Sequence, residues 1–292
     1  MIDLHIHTTY SDGADSLIEV LQKAEKLGLK YISITDHDNC KAYKELENLD
    51  IKKYYTGTII PGIEIKCSYN RRLIEILGYK IDAKKMQEWA DEYYKDKTKT
   101  ILQKKYFNIL CEKSREIGLK LSEESKSNFN PEKEWASVHI YNELIKYEEN
   151  KKILPEGTLD SFNNFSKKYC GDVNSKLYID KSADYPSLEE AINVVKKCNG
   201  LVFLPHLFIY KWADNKQEFI DDILKNYDID GIECMHSEFD NEQIEYLLEL
   251  TKERNYFRSG GSDYHGKNKI GINLGEGKGN LQIPEEFVEE WK

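Results

Sequence analysis

The histidines and carboxylates of this chain gather at the downstream ends of predicted strands. That regularity constrains the fold more than any other feature. His7, His37, Glu64, His206 and the pair Asp263/His265 all stand at or just after a stretch with strand character. In a β/α architecture the C-terminal ends of the strands converge on one face, where active sites sit. Histidines scattered through a core have no reason to obey such a rule. The chain opens Ile2-Asp3-Leu4-His5-Ile6-His7, so two of its seven histidines are spaced i, i+2. An extended strand turns both imidazoles to one face and Leu4 and Ile6 to the other. Adjacent imidazoles suit a metal ion better than an apolar core. Taken alone, the pair equally describes polar residues on a half-exposed edge strand.

Apolar periodicity predicts seven strands, over 2–7, 31–35, 58–65, 72–79, 201–204, 229–234 and 256–260. The third is bent at Pro61-Gly62, and the short turn after it predicts a hairpin with the fourth. Helices are expected over 15–27, 39–50, 187–198, 215–226 and 240–254, with a short one in 284–292. The first has a Leu17, Val20, Leu21, Ala24, Leu27 stripe and stops at Gly28. Residues 82–184 differ: long charged helical stretches, scarce glycine and almost no strand signal. The expected organisation is one α/β domain from 1–81 and 185–292. A mostly helical insertion, 82–184, covers or shapes the active-site face; a separate helical domain is the alternative. Alternating β and α elements imply a parallel sheet or barrel.

The formal charge of −10 argues against a sequence-independent grip on long duplex nucleic acid, which needs basic stripes. It is compatible with a small anionic substrate drawn to bound cations. No apolar run reaches the length of a membrane span. The six cysteines are far apart without a CxxC pair and read as reduced thiols. With a strand beginning at once, leaving no room for a signal peptide, the expected compartment is cytoplasmic.

The chemistry is concentrated in His5-Ile6-His7, Ser11-Asp12-Gly13, Thr35-Asp36-His37-Asp38, Pro61-Gly62-Ile63-Glu64, Pro205-His206 and Gly261-Ser262-Asp263-Tyr264-His265-Gly266. Their imidazoles and carboxylates exceed what one metal needs. A mixed nitrogen and oxygen set of this size suits two or three divalent ions such as Mn, Fe or Zn. Two ions roughly 3.5–4 Å apart can hold a hydroxide between them and clamp both oxygens of an in-line phosphoryl displacement. No serine nucleophile-elbow motif is visible.

Together with Ile76-Leu77-Gly78-Tyr79, these segments resemble the PHP (polymerase and histidinol phosphatase) superfamily, in order and spacing, over 1–80 and about 187–271. The insertion also resembles that of stand-alone bacterial PHP phosphoesterases acting on nucleotides and short RNA. The resemblance implies a distorted (β/α)7 barrel of the PHP type. It implies a metal-dependent phosphoesterase that attacks a small phosphomonoester, nucleotide or short oligonucleotide with a metal-bridging hydroxide. It assigns His5, His7, Glu64 and Asp263 to one ion, and Asp12, His37 and His265 to a second. Glu64, His206 and Glu75 fall to a third, and Glu75 replaces the usual family His. The leaving group takes its proton from a nearby acid, with Asp263 and His265 the candidates, or from water.

Two phosphate-gripping arginines of nucleotide-acting members are missing. Ser137 stands two residues before His139, and the run after the barrel histidine is His206-Leu207-Phe208-Ile209-Tyr210. Lys211, Arg258, Lys267 or Lys269 are the candidates to replace them. His139 is either a substrate contact or an ordinary helix residue. His236 reads as structural or exposed, and Asp36 and Asp38 as orienting His37 or capping the next helix. A histidinol-phosphate-type metabolite phosphatase and a non-catalytic metal-binding PHP module are the alternatives. A C–N hydrolase fits less well, because such sites often use a modified lysine and the motif segments contain none.

Overall fold

The computed structural model of the protein describes residues 1–292. Along the chain run β1 (Ile2–Ile6), α1 (Leu17–Lys26), β2 (Tyr31–Ile34), α2 (Lys41–Leu46), β3 (Thr58–Ile59), β4 (Gly62–Tyr69) and β5 (Arg72–Tyr79). Four helices follow: α3 (Ala83–Tyr94), α4 (Lys99–Glu116), α5 (Ser125–Asn128) and α6 (Ala136–Leu144). Then come α7 (Leu188–Lys197), β6 (Leu201–Leu204), α8 (Lys216–Asn226), β7 (Gly231–His236), α9 (Asn241–Arg254), β8 (Phe257–Gly261) and α10 (Glu286–Glu289).

The fold is α/β, with eight strands where seven were expected. Eight strands form two sheets, ordered β1-β2-β3 and β4-β5-β6-β7-β8. The extra strand arises because Thr58–Ile65 is not one bent element. Pro61 carries no N–H for a ladder. On either side of it, Ile60 N–H donates to Ile32 and Gly62 N–H to the Tyr43 hydroxyl. The predicted hairpin turn is Asn70-Arg71, both at positive φ (48° and 63°), as a type I′ turn requires. β1/β2/β3 and β6/β7/β8 pair parallel, and β5/β6 antiparallel. The sheets do not close into one hydrogen-bonded barrel. Isolated bridges join them instead, Ile6 with Tyr264 and His37 with Glu64. Both bridges involve or adjoin residues singled out above for their chemistry.

The chain divides into two compact units. The first comprises Met1–Tyr69, Leu73–Glu92 and Pro186–Lys292. In it, α1 buries Leu17, Val20, Leu21 and Ala24, and a Ser16/Glu19 capping box fixes its start. Each such buried Leu or Val contributes about 1.5–3 kcal/mol relative to exposure. Ile63, Ile65, Ile76, Leu77, Val202, Phe203 and Ile232 form the core between sheet and helices. The second unit, Asn70–Arg72 and Tyr93–Tyr185, is helical from Tyr93 to Tyr185, with no strand among the described residues of that stretch. Its own core comes from α4 and α6, with Leu102, Phe107, Leu110, Ile140 and Leu144, joined by Phe165. No helix is long and apolar enough to cross a membrane.

Candidate metal centre

β1 delivers His5 and His7 to one face, both fully buried, while Leu4 and Ile6 enter the core. The loop after β1 is pinned by Asp36, which accepts hydrogen bonds from Thr8 N (2.7 Å), Thr8 Oγ1 (2.7 Å) and Ser11 Oγ (2.6 Å). Asp36 therefore holds the Asp12 loop rather than orienting His37. Gly13 is required there, since a Cβ would lie 2.3 Å from the His7 carbonyl oxygen. His37 follows β2, Glu64 lies in β4, Glu75 in β5, His206 after β6, and Asp263 and His265 after β8. Asp38, His206 and Asp263 all take left-handed backbone, at φ 55°, 31° and 56°. Such strain in residues other than glycine persists only where surrounding contacts enforce it.

All nine candidate ligands converge. Glu64 is central: its Oε2 lies 3.2 Å from His5 Nε2, 3.3 Å from His7 Nε2 and 3.1 Å from His37 Nδ1. Its Oε1 lies 2.8 Å from His206 Nε2. Asp263 Oδ1 is 3.3 Å from His7 Nε2 and 3.8 Å from His5 Nε2. Asp12 Oδ1 is 3.1 Å from His265 Nε2, and its Oδ2 3.7 Å from His37 Nε2. Glu75 Oε2 is 3.6 Å from His206 Nε2. Three groups have ligand atoms within 4.8 Å of one another: His7/Asp12/His37/His265, His5/His7/Glu64 and His37/Glu64/Glu75. His7 and His37 are thus each shared between groups that the sequence reading kept apart. A cleft of about 240 Å³ opens onto His37, Glu64, Glu75, His206, Asp263, His265 and Lys269.

The donor set fits metal. His5 Nε2, both nitrogens of His7, His37 Nδ1 and His206 Nδ1 are buried without a hydrogen-bond partner. An unsatisfied buried polar atom costs about 1–3 kcal/mol, and several converging on carboxylates make sense as ligands. The protonation pattern agrees. Burial opposes charge on His7, yet Asp263 and Glu64 raise its pKa to about 9. Burial likewise opposes charge on His5, and Glu64, Glu233 and Asp263 raise it well above the ordinary range. Burial pushes Glu64 and Asp263 up, but His5 and other imidazoles hold both well below. Without ions, protons on His5, His7 and His206 balance the carboxylates.

The sequence reading gave Glu233 and Asp3 no role, and it read His236 as structural or exposed. Glu233 is fully buried in β7. It accepts from His5 Nδ1 at 2.8 Å and from His206 N at 2.8 Å, which leaves His5 Nε2 facing the cluster. Asp3 accepts from Ser262 N (2.9 Å), Gly275 N (2.7 Å) and His5 N (3.2 Å), tying β1 to the segment that carries Asp263. His236 is neither exposed nor remote, being buried with Nε2 3.4 Å from Asp263 Oδ2. Only His236 had a visible signal, its position at a strand end. His139 is not in the cluster. It lies buried in the second unit, with Nδ1 2.9 Å from Glu134 Oε1 and Nε2 3.0 Å from the Ser125 carbonyl.

The family model for the PHP domain matches residues 3–242. The chain belongs to the PHP family. It is 27% identical over 281 residues to a 5'-3' exoribonuclease of Haemophilus influenzae, covering 93% of each chain. It is 26% identical over 273 residues to a phosphoribosyl 1,2-cyclic phosphate 1,2-diphosphodiesterase of Eggerthella lenta, covering 91% of this chain and 94% of that one. A solved structure from Bifidobacterium adolescentis, described as a candidate metal-dependent phosphoesterase, aligns with TM-score 0.63 and 22% identity. It covers 99% of this chain and 94% of that one.

Proposed function

We infer that this PHP family member is a metal-dependent phosphoesterase acting on a small phosphorylated substrate: a phosphomonoester, nucleotide or short oligonucleotide. The observation that carries the reading is the convergence of unpartnered buried imidazole nitrogens on Glu64, with Asp263 and Asp12 beside them. The full-length relatives, which bear names of phosphodiester-cleaving enzymes, support the substrate class. His5, His7, Glu64 and Asp263 would hold one ion, and Asp12, His37 and His265 a second, with His206 and Glu75 beside Glu64. Mn, Fe or Zn suits this nitrogen and oxygen set. Bound there, such ions supply Lewis acidity and lower the pKa of water.

The protein's own residues orient and neutralise. Glu233 fixes the His5 tautomer, and the Asp263 carbonyl, 2.9 Å from His265 Nδ1, does the same for His265. Asp263 is held anionic by its imidazole neighbours, and His265 turns Nε2 to the Asp12 group and Nδ1 to the Asp263 carbonyl, so water is the better proton donor to the leaving group. Lys269 lines the cleft and contacts Asp263, which supports it as the positive charge replacing the missing arginines. Arg258 is instead engaged by Glu290. The bridge-linked sheets support reading the fold as a distorted barrel. The helical unit is assigned to substrate selection. The six cysteines, five of them buried, are read as reduced thiols, which supports a cytoplasmic setting.

The test is hydrolysis of a panel of phosphomonoesters, nucleotides and short RNAs by Mn-loaded protein. Cleavage is expected, lost with chelator and reduced by about 10²–10³-fold or more in Asp263→Asn. A fully metal-loaded protein that leaves the whole panel intact overturns the reading.

A further inference from the structure

Two outer carboxylates of the cluster each carry a lysine, and the two lysines sit differently. At Asp263, the Lys269 ammonium contacts Oδ2, while Oδ1 is the oxygen facing His7 and His5. A bound cation and Lys269 can therefore share this carboxylate. At Glu75 the lysine stands on the His37 side. Lys66 Nζ lies 3.1 Å from Oε1, the oxygen that faces His37 Nδ1 at 4.0 Å, while Oε2 faces His206 Nε2 at 3.6 Å. His37 Nδ1 is one of the buried, unpartnered atoms and belongs to the His37/Glu64/Glu75 group.

The placement follows from the strand. Glu64 and Lys66 are i, i+2 in β4, so both side chains leave the same face. The chain thus sets an ammonium two positions from its central carboxylate. An ammonium is a compact point charge, and a divalent ion on the same Oε1 would meet it at close range, where like charges repel.

We propose that the Lys66 ammonium supplies the third positive charge at His37/Glu64/Glu75, so that the protein holds two divalent ions tightly and admits a third only by displacing the lysine. This rests on the metal-centre reading above. The ion count is taken without substrate, so it is decided independently of phosphoester hydrolysis.

The test uses the full chain saturated with Mn²⁺, desalted and analysed for metal per protein, with calorimetric titration by Mn²⁺ alone. Wild type and Lys66→Arg should retain two ions. Lys66→Met should retain three, with a third calorimetric event at least tenfold tighter than any in wild type. Lys66→Gln repeats the measurement should the methionine variant not fold. Three ions retained by wild type, or two by both neutral variants, overturns the proposal.

Discussion

At the scale of single residues, the site depends on groups that never face the cleft. Glu233 is the clearest. One carboxylate oxygen holds the His5 ring and the other the His206 backbone. Glu233→Gln keeps the size but places an amide N–H against one of those donors. Mn²⁺ affinity should fall by about 10–100-fold, the usual cost of losing a partner behind a metal ligand. Calorimetry checks this, with circular dichroism verifying the fold. His7 sets a pH dependence. Its pKa rises from an ordinary 6.5 to about 9 in the folded protein. The imidazolium therefore stabilises the metal-free protein fully below pH 6.5, and that stability is lost as pH climbs to about 9. A metal needs the neutral ring, so Mn²⁺ affinity should rise through the same window. Thermal melts of chelator-treated protein should decline from pH 6.5 to 9 while the metal-induced gain in Tm grows; a flat apo profile contradicts the assignment.

At the scale of elements, the strand ends must meet closely for the ligands to converge. Gly261, the last residue of β8, shows how closely. A Cβ there would lie 2.3 Å from His5 Cβ and 2.5 Å from His5 N. The glycine of Gly261-Ser262-Asp263 is thus set by the approach of β1, and its backbone angle places no such demand. Gly261→Ala must push β1 away, costing about 1–3 kcal/mol by overpacking and carrying His5 with it. Urea unfolding and Mn²⁺ titration should both register the change. Most elements were legible. The α1 stripe and Gly28 stop lead to a helix over Leu17–Lys26, and the expected 240–254 helix is Asn241–Arg254. The stretch 58–65 was misread as one strand because apolar pattern reports burial, which both halves share, and not which partner each half pairs with.

For the whole molecule, two apolar cores predict separable consequences. Ile140 is fully buried in the helical unit, so Ile140→Ala should cost about 2–5 kcal/mol. Metal content per folded protein should stay unchanged, because every candidate ligand belongs to the first unit. Loss of metal from the folded variant would contradict that division. The ligand types, their order and their placement at strand ends could be read directly from the chain, because metal chemistry demands particular side chains and strand periodicity dictates their face. Tertiary structure alone decided that His7 and His37 are shared as well as Glu64, that Lys66 sits on Glu75, and that Glu233 stands behind His5. Those partners are far apart along the chain, 228 residues in the last case. A buried carboxylate in a strand carries no local mark of its role; the groups that surround it define that role, and only folding brings them there.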